Sequence, residues 1–243
     1  MIKYGEESHL RQIVEGKLRF APSKDYIQME EKLHSKGQGD ALEGKMKIKA
    51  SLKISDTETG VVLRSLPNCI STISFQNVNN FPVFCLSQYD CKSTTNYIDS
   101  AHYQIRLLPD DLKCVRTDFP KATHALIILE PNKFASNVQS INNHKIIGEE
   151  IHYYDNDTPE KYMYLATGDT RIRLKEALPI KKSDSYRILL CKNSCFVKQN
   201  EFRFIILDEL IDSSVFYSYK FTSRYLIVPI NKLSKTIDVS LGF

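Results

Sequence analysis

The chain has 243 residues, 42% of them hydrophobic and 10% aromatic, which supplies a folded core and excludes a disordered chain. Its formal charge of +4 is too small for a dedicated nucleic-acid coat, yet it leaves room for a polyanionic partner. No apolar run reaches membrane-spanning length, and residues 1–7 lack the charged-then-apolar plan of a signal peptide, so a cytoplasmic protein is expected, with no membrane partner.

In chain order, Lys3-Tyr4-Gly5 reads as the end of a short strand. Residues 6–15 then place Leu10, Ile13 and Val14 on one helical face, and Gly16 closes that helix as a residue tolerant of the left-handed region. Leu18-Arg19-Phe20 resumes an extended run. A turn over 21–26 offers Ser23 or Asp25 as cap for a helix from Tyr26 to about His34. The glycine-bracketed stretch from Ser35 to Gly44 is the most loop-like in the chain and a candidate lid. Residues 45–66 read as a hairpin turning at Asp56 to Gly60, with Lys45, Lys47, Lys49 and Lys53 along one strand face. That row suits either a solvated edge or a nucleic-acid backbone.

Strands are expected over 69–75, Pro82 to Ser87, 101–108, 122–129, 145–154, 186–191, 215–221 and 225–230, with that over 122–129 central because it is almost wholly apolar. Short helices are expected over 132–139, after Pro131, and over 171–177. Near the C-terminal end, Lys198 to Leu207 passes from alternating polar and aromatic residues to an unbroken apolar run. With a period of two, Gln199, Glu201 and Arg203 face one side and Asn200, Phe202 and Phe204 the other. An amide and a carboxylate would then sit together at the mouth of a buried strand, and the same segment also suits an edge strand carrying a Glu201/Arg203 pair.

The chain carries no dinucleotide or Walker-type glycine motif, no Gly-x-Ser-x-Gly elbow and no His-Glu-x-x-His. Its six cysteines show no Cys-x-x-Cys spacing and its six histidines no metal-ligand spacing, so no metal is expected, and Cys191 and Cys195 are expected as free thiols. Absence of repeats or a long linker makes one α+β domain over 1–243, dominated by strands, the economical reading.

The order Tyr4-Gly5, helix, Gly16, Arg19-Phe20, then Cys85-Leu86-Ser87, then Gln199-Asn200-Glu201-Phe202-Arg203-Phe204 resembles the ADP-ribosyltransferase-like fold. Within it the chain is most similar to bacterial phage-defence and toxin-antitoxin toxins that modify nucleic acid, mRNA included. The resemblance is loose between about 100 and 194. It implies a split sheet with short flanking helices, NAD as co-substrate, an RNA or DNA acceptor and an antitoxin protein as partner. Glu201 would hold the ribose and stabilise the positive charge that forms on it, and Gln199 would face an amide or nucleobase acceptor. The cofactor would lie against Tyr4, Gly5, Arg19, Phe20, Ser23, Tyr26 and Ser87, with Arg19 toward the pyrophosphate and Tyr26 against the nicotinamide. Where the family carries arginine or histidine on its first strand, this chain has Tyr4. A non-catalytic nucleic-acid-binding or sensor module and a protein-interaction domain on the same scaffold are the alternatives.

Overall fold

A computed structural model describes residues 1–33, 44–56, 58–75, 77–90, 95–99, 102–155, 159–169 and 181–240. β1 (Ile2–Gly5) leads through α1 (Glu7–Val14) to β2 (Lys17–Pro22) and α2 (Lys24–Leu33). β3 (Lys45–Ser55) and β4 (Val62–Ser74) form a hairpin that is a two-stranded sheet of its own. Then come β5 (Pro82–Ser87), β6 (Thr95–Tyr97), β7 (His102–Ile105) and α3 (Pro109–Asp118). β8 (His124–Ile128), α4 (Pro131–Gln139), β9 (Ile146–Glu150), β10 (His152–Tyr154) and α5 (Pro159–Thr167) follow. The chain continues with β11 (Cys191–Asn193), β12 (Glu201–Ile206), β13 (Val215–Ser218), β14 (Tyr225–Pro229) and β15 (Ile237–Ser240).

The result is a mixed α and β architecture around an eight-stranded antiparallel sheet. One strand organises it. Along one edge β5 pairs with β12 from Val83 to Ser87, and β12 pairs in turn with β9. The other edge of β5 is shared: β2 pairs with it at Pro82 and Val83, whereas β1 joins only at Ser87. Between these contacts β1 and β2 diverge, so the sheet forks over residues 84–86. β13 extends the β2 arm, and β8 and β14 extend the β1 arm.

Each face of this sheet has its own chemistry because successive side chains alternate. One face carries Leu18, Phe20, Phe84 and Phe204, which pack with Leu10 and Ile13 of α1 and with Phe134 and Val138 of α4. The aromatic rings there meet in tilted and edge-on contacts, as ring quadrupoles favour. The opposite face holds two separate apolar clusters, one around Val83, Ile205 and Leu189, the other around Ile2, Tyr4 and Ile127. Glu201 is in register with Ser87, and Arg203 with Cys85, so these polar residues share a face and form a stripe.

Local rules account for several elements. α1 buries Leu10 and Ile13, and Gly16 after it has a φ of +86° where a Cβ would stand 2.4 Å from the Tyr219 carbonyl oxygen. The turn between β3 and β4 is held by Asp56, whose Oδ1 accepts the backbone N–H groups of Glu58 and Thr59. β8 is fully buried from Ala125 to Ile128, as its apolar run implies, although it lies next to the edge strand β14 and not at the centre of the sheet. Other expectations need correction. The strand over 69–75 is part of the longer β4, and that over 145–154 breaks into β9 and β10. Residues 182–190 are a 3-10 segment rather than a strand. Ser23 directly precedes α2 and its carbonyl accepts the Tyr26 N–H, but its buried hydroxyl donates to the Val78 carbonyl at 3.2 Å and not to a capping bond. The helix expected over 171–177 lies outside the described residues, as does the expected glycine loop apart from Gly44.

Candidate functional site

The fork holds a cavity of about 520 Å³. Strand pairing normally fills the edge of a central strand, and here the splayed β1 and β2 leave the middle of β5 open. Lys3 takes part of that space: its Nζ donates to the Cys85 carbonyl at 2.6 Å and lies 4.9 Å from the centre of the Phe84 ring. Burial lowers the Lys3 pKa, offset in part by the nearby Cys85 and Glu201.

Glu201 opens β12 and is 8% exposed. Both carboxylate oxygens are engaged, Oε1 by Arg203 Nε at 2.6 Å and Oε2 by Lys192 Nζ at 3.0 Å. Burial alone would raise its pKa, but the charges of Arg203 and Lys192 outweigh it and hold the carboxyl well below the usual range. Its backbone is also fixed, with its N–H donating to the Tyr153 hydroxyl at 2.8 Å. Arg203 is 1% exposed and donates from Nη1 to the Leu189 carbonyl at 2.6 Å. The segment is therefore not an edge strand. β12 is paired on both sides, and its Glu201/Arg203 pair is buried.

Gln199 reaches the same cavity by another route. It ends a 3-10 segment over 194–199, and Asn200, in the left-handed region at φ 45°, ψ 48°, turns the chain into β12. Asparagine tolerates that conformation better than most side chains. The amide is set between opposite charges: Oε1 accepts from Lys192 Nζ at 2.8 Å, and Nε2 donates to Asp118 Oδ2 at 2.9 Å. Flipping it would turn NH₂ toward an ammonium and oxygen toward a carboxylate, so this orientation is electrostatically determined. Asp118, at the end of α3, also accepts from Cys114 Sγ at 3.0 Å.

Tyr26 of α2 places its hydroxyl 3.3 Å from Cys85 Sγ, with the Arg203 guanidinium 5.9 Å from its ring centre. Burial raises the Tyr26 pKa well above its ordinary value. The Cys85 thiol is pushed up to about 12 by burial and then by the charge of Glu201, so it is inert as a nucleophile at neutral pH. Tyr4 and Tyr89 share a hydroxyl hydrogen bond of 2.9 Å.

Of the catalytic and cofactor-binding residues expected from the sequence, Tyr4, Gly5, Arg19, Tyr26, Ser87, Gln199 and Glu201 all line this cavity. Two do not. Phe20 is fully buried on the opposite face, edge-on to Tyr217, because the alternation that turns Arg19 toward the cavity turns Phe20 away. Ser23 is spent on Val78, as described above. Lys45 is half-buried at the start of β3, and the side chains of Lys47 and Lys49 lie outside the described residues.

Sequence reasoning missed Lys3, Lys192 and Phe216. The one local hint for Lys192 is a lysine that closes the apolar run from Ile188 to Cys191, where a surface lysine would be out of place. The lining carries the cations Lys3, Lys17, Arg19, Lys192 and Arg203 against the carboxylates Asp25 and Glu201, an imbalance that suits an anionic ligand. Among the described residues no helix is long and apolar enough to cross a membrane, and no group of three or more His, Cys, Asp or Glu is placed to hold a metal ion. No family model matches this chain, nor does any curated protein or solved structure.

Proposed function

We propose that the fork is the NAD site of an enzyme that transfers ADP-ribose to a nucleobase of RNA or DNA, in a toxin restrained by an antitoxin protein. The observation that carries this reading is the convergence of Glu201, Gln199, Arg19, Tyr26 and Ser87, from three distant parts of the chain, on one basic cavity. In the reaction the bond between ribose C1′ and the nicotinamide nitrogen breaks, and its electron pair leaves with neutral nicotinamide. The acceptor atom then bonds to C1′ and gives up its proton to solvent. Glu201 remains ionised at neutral pH, as stabilising a positive ribose requires. Arg19, on the arm across the fork, supplies a permanent cation for a pyrophosphate.

One observation favours a second reading. Two cations on a single carboxylate leave the floor of the cavity net positive, which suits retention of an anion better than creation of a sugar cation. A binding or sensor module that holds a nucleotide without cleaving it has that chemistry.

Incubation with NAD and total RNA, DNA or protein, followed by assay of free nicotinamide and labelled acceptor, separates the two. The enzyme reading expects nicotinamide release dependent on nucleic acid, reduced roughly a hundredfold or more in Glu201→Gln. Because Glu201 is the counter-ion of two buried cations, that variant is compared with Gln199→Ala at a temperature where thermal melts show both folded. No release with any acceptor, alongside measurable NAD binding, overturns the enzyme and leaves the sensor.

A further inference from the structure

The β2 arm of the fork ends in a surface that, Arg19 apart, the proposed reaction in the cavity does not use. Arg19 of β2 is in register with Phe216 of β13, and Lys17 with Ser218, so all four side chains stand on the same face of the sheet as Glu201. The reverse side of the two strands is core, with Leu18 and Phe20 fully buried and Tyr217 nearly so. The outward side is wet: Lys17, Arg19 and Ser218 are exposed, and Lys220 lies exposed just beyond the strand. In the middle stands Phe216, 55% exposed, a large apolar ring that the core does not claim. Lys17, Arg19 and Phe216 also line the cavity mouth, so strip and cavity are continuous.

Charge decides what such a strip fits. Arg19 Nη2 donates to the Ser214 hydroxyl at 2.8 Å, and among the described residues Lys17, Arg19 and Lys220 form no ion pair. Of the carboxylates nearby, Asp212 is matched to Lys24 at 3.0 Å, and Asp25 accepts from Ser214 at 3.5 Å. An aromatic face flanked by uncompensated cations is the recognition chemistry of single-stranded nucleic acid: the ring stacks a base and the cations follow the phosphates. A duplex offers no free base face, and an apolar peptide segment would leave the cations unmatched.

We propose that Phe216, with Lys17 and Lys220, forms the platform over which a single-stranded nucleic acid approaches the fork, one base stacked on Phe216 and Arg19 standing where the platform meets the pyrophosphate site. This deepens the enzyme reading by saying how the acceptor arrives. It places the nucleic acid on the β2–β13 arm and not along the lysine row of β3.

Binding of a short fluorescein-labelled single-stranded RNA, and of DNA of the same sequence, is measured by anisotropy without NAD at several salt concentrations. The expected result is salt-dependent binding of the single strands, weaker for the same RNA annealed to its complement. Phe216→Ala should weaken it roughly tenfold. Phe216→Trp should retain it. Lys17→Glu should flatten the plot of log affinity against log salt by about one unit, and the pair Lys47→Glu, Lys49→Glu should leave binding unchanged. Unchanged affinity in Phe216→Ala, equal affinity for duplex, or loss confined to the Lys47, Lys49 pair overturns the platform. Nicotinamide release is scored separately. Binding that survives without release removes the enzyme and keeps the platform, and release that persists without Phe216-dependent binding does the reverse.

Discussion

Lys192 has one ammonium group and several claims on it. Its Nζ is bonded to Gln199 Oε1 and Glu201 Oε2, and it lies 4.6 Å from the centre of the Phe196 ring. Being only 5% exposed, it has traded water for these partners, and they for it. Lys192→Met keeps the length and apolar stem but leaves two buried oxygens short of a donor. We expect a loss of about 3 kcal/mol in denaturant unfolding. A second reading of the same variant is more diagnostic: with one of its two cations gone, the Glu201 carboxyl should titrate closer to an ordinary glutamate by carbon-detected NMR. An unchanged Glu201 titration would show that Arg203 alone sets its charge. The place of Glu201 at the head of a buried strand was legible in the sequence from the apolar run that follows it. Its partners were not equally visible: Arg203 is two residues away on the same strand face, whereas Lys192 belongs to a separate short strand whose pairing with β10 no local pattern announces.

Elements differ in how openly the sequence declares them. α1 is announced by the spacing of Leu10 and Ile13 and ended by Gly16, and the structure follows. Gly16→Ala should cost about 1–3 kcal/mol from the left-handed backbone alone, and more because its Cβ meets a backbone carbonyl that cannot swing aside. A thermal melt checks it, and a change below a few tenths of a kcal/mol would mean that Tyr219, just beyond β13, has room to move. α3 was not foreseen, although Pro109 with Asp110 and Asp111 is a helix start. Its apolar face is thin, burying only Asp111 and Val115, so the usual periodicity is absent. Yet its last residue, Asp118, orients Gln199. The stretch from Tyr186 to Cys191, apolar apart from Arg187, misled in the opposite direction: so short a run is as compatible with a buried 3-10 turn as with a strand.

Across the whole molecule, the ionised site is coupled to folding. Glu201 has a depressed pKa in the folded chain and an ordinary one, about 4.3, when unfolded. Folding is therefore favoured by its ionisation above that ordinary value, and this contribution is lost as pH falls below it toward the depressed folded value. Wild type should melt well above Glu201→Gln at neutral pH, and the gap should narrow steadily below about pH 4. Melting curves displaced by a constant amount down to pH 3 would sink the coupling.

What the residues determined unaided was local: the period of two that makes β12 a strand, the helix of α1 with its glycine stop, the turn at Asp56 and the burial of β8. Neighbouring side chains and backbone sterics set these, and both are written in adjacent letters. Only the tertiary structure decided that β1 and β2 share one edge of β5, and with that the fork, the clamp of Lys192 on Glu201 and the place of Phe216 at the mouth. Long-range strand pairing sets those, through registers between segments far apart in the chain, and a shift of one residue would have turned Arg19 into the core and Phe20 toward the cavity.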